Sequence, residues 1–127
     1  MFKETVICII IVIAIFSLDM FTQNYTNHAV VDISDRFSSL RENILKEDKD
    51  QIDEELKKLD ENWNKMHDKL AYYIEHDELE KVDTAIVDAK SFVETEDYPS
   101  AVAEIDKAKF VMEHIKRKYA FNLQNIF

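Results

Sequence analysis

The chain opens with an apolar block and then settles into helical stripes. Val6 to Leu18 reads VICIIIVIAIFSL, with Ser17 its one polar position, and Met20 and Phe21 resume the apolar character after Asp19. Beyond that point apolar residues recur in alternating steps of three and four, the spacing that lines one face of an α-helix. Val30, Ile33, Phe37, Leu40 and Ile44 form the first stripe, which ends at the charged stretch Lys46-Glu47-Asp48-Lys49-Asp50. Ile52, Leu56, Leu59, Trp63, Met66, Leu70 and Tyr73 form the second. Asp50 is its expected N-cap, with Asp53 and Glu54 in a first turn that favours carboxylates. Asp77, with Glu80 three residues on, reads as a capping box opening a third helix. Leu79, Val82, Ile86, Ala89 and Val93 are its stripe, flanked by Ala85 and Phe92. Thr95-Glu96-Asp97-Tyr98-Pro99-Ser100 breaks the pattern, and proline in a first turn predicts a fourth helix starting at Asp97 or Tyr98. Its stripe is Ala101 or Val102, Ile105, Ala108, Met112, Ile115 and Tyr119, followed by an apolar tail of Phe121, Leu123, Ile126 and Phe127.

Short connections between such helices favour antiparallel neighbours. The predicted fold class is all-α: an N-terminal transmembrane helix followed by an antiparallel bundle of three to four helices. The expected boundaries are 1–22 for the anchor, 23–29 for a juxtamembrane linker or a continuation of the anchor helix, and 30–127 for the bundle. Composition agrees. The 127 residues include no glycine and one proline. Tight hairpins and phosphate-cradling loops both need the backbone freedom that glycine supplies, so β, P-loop and dinucleotide-binding readings fall away.

The apolar block has two readings. As a removable signal its length suits the hydrophobic region, but Ile15-Phe16-Ser17 and Ser17-Leu18-Asp19 put bulky or charged residues where cleavage wants small ones. As an anchor, Phe2 to Phe21 spans about 20 residues or about 30 Å, enough for a bilayer. We favour the uncleaved anchor. Lys3 precedes the block and no Lys or Arg follows until Arg36, so the positive-inside rule places the N-terminus in the cytoplasm and the bundle outside, in a single-pass cell-membrane protein. With about five residues left inside, transmission would have to run through a partner in the membrane or envelope. Cys8 is the one cysteine and lies inside the block, so no intramolecular disulfide forms and no lipidation site is suggested. The sequon Asn24-Tyr25-Thr26 hugs the membrane and reads as incidental.

Charge excludes other partners. Of 16 basic and 26 acidic residues, only Lys3 and Glu4 precede the apolar block, so the net charge of −10 belongs to the bundle. Phosphate-backbone binding is disfavoured, and no nucleic acid is expected. Metal and catalytic motifs also fail. The residues three before His28, His67, His76 and His114 are Tyr25, Asn64, Tyr73 and Val111, so the Glu-x-x-His pattern of di-metal bundles never occurs. Asp48-Lys49-Asp50 starts like a calcium loop, but Ile52, Asp53 and Leu59 stand where a ligand, a glycine and a bidentate glutamate are needed. No serine sits in a nucleophile elbow. The expectation is no enzyme, no cofactor and no metal.

The group that invites a binding role is aromatic. Trp63 and His67 are four apart and share a helix face, and Tyr72 and His76 repeat the spacing. They are candidate partner-binding residues, because aromatics concentrate in interface hot spots. The competing reading makes Trp63 and Tyr73 core, with the histidines hydrogen-bonded at its margin. Ile126 and Phe127 are the other candidates, since two large apolar residues at a terminus either fold back on the bundle or insert into a partner. Overall this suggests an extracytoplasmic interaction or scaffold module. The alternative is a bundle that senses a ligand or metal between its helices.

The anchor, the tryptophan helix, the stretch Tyr72-Tyr73-Ile74-Glu75-His76-Asp77-Glu78-Leu79, the Asp97 turn, His114-Ile115 and the ending Asn125-Ile126-Phe127 together resemble an uncharacterised bacterial family, domain of unknown function 4363. The resemblance spans essentially the whole chain. It implies a bacterial, membrane-anchored helical protein that works beside a multi-pass membrane partner. Many members carry a second tryptophan near Tyr72 or Tyr73, which weighs against this position being essential. The resemblance supplies no catalytic residue.

Overall fold

The computed structural model describes the backbone of residues 1–126 and the side chains of residues 1–119. Four helices follow in order: α1 (Phe2–Leu45), α2 (Lys49–Leu70), α3 (His76–Glu94) and α4 (Tyr98–Ile126). No strand occurs among the described residues. The predicted stripes are the core. Val30, Ile33, Phe37, Leu40 and Ile44 of α1, Ile52, Leu59, Trp63 and Leu70 of α2, Leu79, Val82 and Ile86 of α3, and Ile105, Met112 and Ile115 of α4 share one continuous core. Small residues at Ala85, Ala89, Ala101 and Ala108 are also buried, and α3 and α4 form the most extensive helix pair. Small contact residues let helix axes approach.

α1 packs against α2 and α4, whereas α2 and α3 barely approach each other. Polar ties set the antiparallel register of α1 and α4. Gln23 Nε2 donates to the Tyr119 carbonyl at 3.3 Å, Lys109 Nζ to Ser38 Oγ at 2.9 Å, and Arg41 pairs with Asp106 at 3.0 Å. α1 itself is unbroken, including residues 23–29, and changes character halfway. Its first buried residue is Thr26; every apolar side chain from Phe2 to Phe21 is exposed.

Two of the three connections solve the absence of glycine in the same way. Glu47 and Glu96 take the left-handed conformation, at φ 56° and 57°. At the end of α1, Asp48 N–H reaches the Asn43 carbonyl (3.3 Å) and Glu47 N–H the Ile44 carbonyl (3.0 Å). At the end of α3, Asp97 N–H reaches Phe92 (2.8 Å) and Glu96 N–H reaches Val93 (3.0 Å). Both are Schellman motifs, which usually place glycine at the left-handed position. The aspartate after each glutamate then caps the next helix: Asp48 accepts from Gln51 N–H and Asp97 from Ser100 N–H, each at 3.4 Å. So Asp48, not Asp50, caps α2. The expected Asp77–Glu80 capping box does not form either. α3 starts at His76, two residues before the Glu78 start that box implies, after Glu75, whose own side chain makes no cap.

A left-handed non-glycine residue costs about 1–2 kcal/mol. Glu47→Gly and Glu96→Gly should therefore each stabilise the bundle by about 1 kcal/mol, raising the thermal midpoint by several degrees in circular dichroism. The exposed Lys49–Glu96 pair at 3.9 Å is too weak to offset this. A lowered midpoint for both variants would show that the glutamates hold their turns through side-chain contacts instead.

Candidate functional site

The aromatic residues singled out by spacing fall into two places. Trp63 is 1% exposed and packs in the core. Its indole N–H needs an acceptor there, and Asp83 Oδ1 of α3 provides it. His67, one turn on, stands edge-on to the indole with ring centroids 5.8 Å apart. Its Nε2 lies 3.3 Å from the other oxygen, Asp83 Oδ2. One carboxylate therefore engages two rings of α2. Further from the α2–α3 loop, Lys90 pairs with Asp60 at 2.8 Å. These contacts stitch the neighbouring helix pair whose backbones approach least. Beside them lies a groove of ≈420 Å³ lined by Ile52, Leu56, Asp60, Lys90, Val93 and Tyr98. Trp63 thus follows the core reading, with His67 part-exposed at the margin.

Tyr72 and His76 point elsewhere. They lie in and just after the connection between α2 and α3; Tyr72 is 89% exposed, and His76 is exposed within 4.0 Å of Glu80. Nothing joins them to Trp63 and His67 in a single surface. The side chains of Ile126 and Phe127 lie outside the described residues. Among the described residues no three His, Cys, Asp or Glu side chains group as metal donors.

The connected polar cluster sits at the α2–α3 loop and was not expected. Tyr73 is beyond the end of α2 rather than on it, yet it packs on the core and its hydroxyl meets Thr26 Oγ1 at 2.6 Å. Tyr119 stands edge-on to Tyr73 at 6.4 Å and its hydroxyl accepts the Glu75 N–H at 2.9 Å. Lys118 bridges Glu75 (3.3 Å) and the nearly buried Glu78 (3.7 Å), and His114 lies 3.9 Å from Glu78. The signal for Thr26 was in the sequence: it lies four before Val30 and seven before Ile33, so it continues the first stripe as a polar position that needs a partner. Toward the N-terminal half of α1 this cluster borders a groove of ≈470 Å³ walled by Leu18, Phe21, Tyr25, Lys69, Tyr72 and Tyr73.

Burial holds the Tyr73 phenol above its ordinary value, with the Thr26 hydrogen bond pulling the other way. The Glu75 contact raises Lys118 against a smaller desolvation effect. In both cases the folded value exceeds the unfolded one, so the stabilisation is complete below about pH 10 and is lost as pH rises through the folded values. The thermal midpoint should accordingly fall above about pH 10. Tyr73→Phe should cost about 1 kcal/mol at neutral pH and flatten that alkaline decline. An unchanged slope would remove Tyr73 as its origin. At the seam, Asp83→Ala strands the buried Trp63 N–H and should cost about 2–3 kcal/mol in denaturant unfolding, whereas Asp83→Asn keeps an acceptor and should cost less.

No curated protein and no solved structure matches the chain. A family described as a domain of unknown function, DUF4363, matches residues 20–126. That span takes in the bundle, the Trp63–Asp83 seam and the Tyr73 cluster, and leaves most of the apolar block outside it. The chain is a member of the DUF4363 family.

Proposed function

We propose that this is a single-pass membrane protein whose acidic bundle, held on the extracytoplasmic side, binds and positions another membrane or envelope protein without catalysing a reaction itself. The observation that carries the reading is the split character of α1. Its N-terminal half exposes a continuous apolar surface, while its C-terminal half buries one stripe in a well-packed bundle. Burying a single isoleucine is worth about 1.5–3 kcal/mol, so a run of them left in water is a large unmet driving force that a bilayer satisfies. An unbroken helix through residues 23–29 also fixes the bundle's direction relative to that run. The bundle's net negative charge disfavours nucleic acid and anionic headgroups, which is compatible with a protein partner.

A second reading rests on the groove between α2 and α3. Its apolar floor and its Asp60–Lys90 pair suit a small polar ligand, which would make the chain a sensing bundle.

Site-specific photo-crosslinkers at the exposed positions His76, Val87 and Phe110 in intact membranes test the first reading. A single protein recovered from neighbouring positions and absent from the others is the expected result; identical background from all three would sink it. A cysteine at Val87 should be labelled by a membrane-impermeant maleimide in intact cells, and protection there would reverse the proposed orientation. A saturable rise in thermal midpoint with a metabolite, abolished by Lys90→Ala, would favour the sensing reading instead.

A further inference from the structure

The groove at the base of the bundle is continuous with the apolar surface of α1. Its inner wall is Leu18 and Phe21, the last turn of the exposed apolar stretch, and both side chains are about 70% exposed (68% and 71%). Counted from Phe2 at 1.5 Å per residue, that turn lies about 30 Å along the helix, the depth at which hydrocarbon gives way to headgroups. The outer wall is Tyr25, Tyr72, Tyr73 and Lys69. Tyrosines and a snorkelling lysine are the side chains that settle at this level of a membrane.

Two details separate this groove from ordinary surface. Tyr72 is 89% exposed immediately beside Tyr73, which is tied to Thr26. The Lys69 ammonium stands 5.7 Å above the Tyr25 ring, and no carboxylate pairs with it among the described residues, in a chain rich in carboxylates. A cation at the mouth of an apolar, aromatic-walled cleft of ≈470 Å³ is complementary to one amphiphile: a phosphate bearing acyl chains.

We propose that this groove seats a zwitterionic phospholipid of the bilayer that α1 crosses. Its acyl chain runs over Leu18 and Phe21 against the face of Tyr72, and its phosphate sits at Lys69. The proposal rests on the membrane-anchor reading above. It adds that the bundle leans on the bilayer through the base of α2, so the α2–α3 loop is a lipid contact and not open to water.

The full chain reconstituted in phosphatidylcholine vesicles, with and without bromine on the acyl chains near the glycerol, provides the test. Trp63 is the chain's one tryptophan and is buried in the α2–α3 seam, so it serves as an internal reference. In the Tyr72→Trp variant the added indole should lose at least half its emission in brominated vesicles, while wild-type emission stays unchanged. Adding Lys69→Glu should relieve most of that quenching, whereas Lys57→Glu, far along α2, should not. Emission from Tyr72→Trp that is insensitive to bromine, in protein that resists carbonate extraction, overturns the lipid site and leaves the anchor standing. Protein extracted by carbonate overturns the anchor reading and the site with it. Quenching that disappears as protein density rises would put a second copy in the groove and equally overturn the proposal.

Discussion

A helix satisfies its own backbone hydrogen bonds, so it can cross from one solvent into another without a break, which no other single element can do. α1 has this property, and the rest of the molecule is arranged around its second half. One face of that half supplies Val30, Ile33, Phe37, Leu40 and Ile44 to the core, and α2 and α4 take up positions on either side of it. α3 reaches the core chiefly by packing on α4. On the reading proposed here, the first half answers to hydrocarbon and the second to the bundle, with Thr26 as the first position at which the two demands meet.

The bundle closes unevenly. Neighbouring helices approach closely on three sides, and on the fourth, between α2 and α3, the approach is slight and polar contacts span it: Trp63 and His67 on Asp83, then Asp60 with Lys90. A carboxylate shared between a buried indole and an imidazole is directional where dispersion is not. It fixes the relative height of two helices that have little surface in common. Such networks cost desolvation and return specificity when every member is satisfied. They also leave room beside them, which is why the α2–α3 groove lies on this side.

Much of this was legible in the residues, and the failures have physical causes. Steps of three and four located all four stripes, because burial on a helix is a property of spacing alone. Helix ends were less secure. Asp48 displaced Asp50 as the cap of α2, and His76 opened α3 ahead of Asp77, because ends are set by how the preceding helix terminates. Those terminations use left-handed glutamates at Glu47 and Glu96, and glutamate carries no turn signal of its own. The recurrence of Glu-Asp at both turns was the available clue. Among the candidate site residues, Trp63 and His67 were correctly paired by spacing, but their partner Asp83 belongs to another helix. Tyr73 rather than Tyr72 became the connected tyrosine for the same reason: Thr26 lies 47 residues away in sequence, and only the fold brings them together.

The same topology gives the molecule a mechanical path. Both Glu-Asp turns lie at one end, where they join α1 to α2 and α3 to α4 through short loops. At the other end the α2–α3 connection meets α1 and α4, through Tyr73 on Thr26, the Gln23 amide on the Tyr119 carbonyl, and the Glu75 amide on the Tyr119 hydroxyl. A tug or a twist delivered along α1 would thus be shared with all three other helices within about one turn of entering the bundle, before it reaches the far loops. The base behaves as a clamp. Any message carried along α1 would be felt first, and most strongly, by the tyrosines at the base.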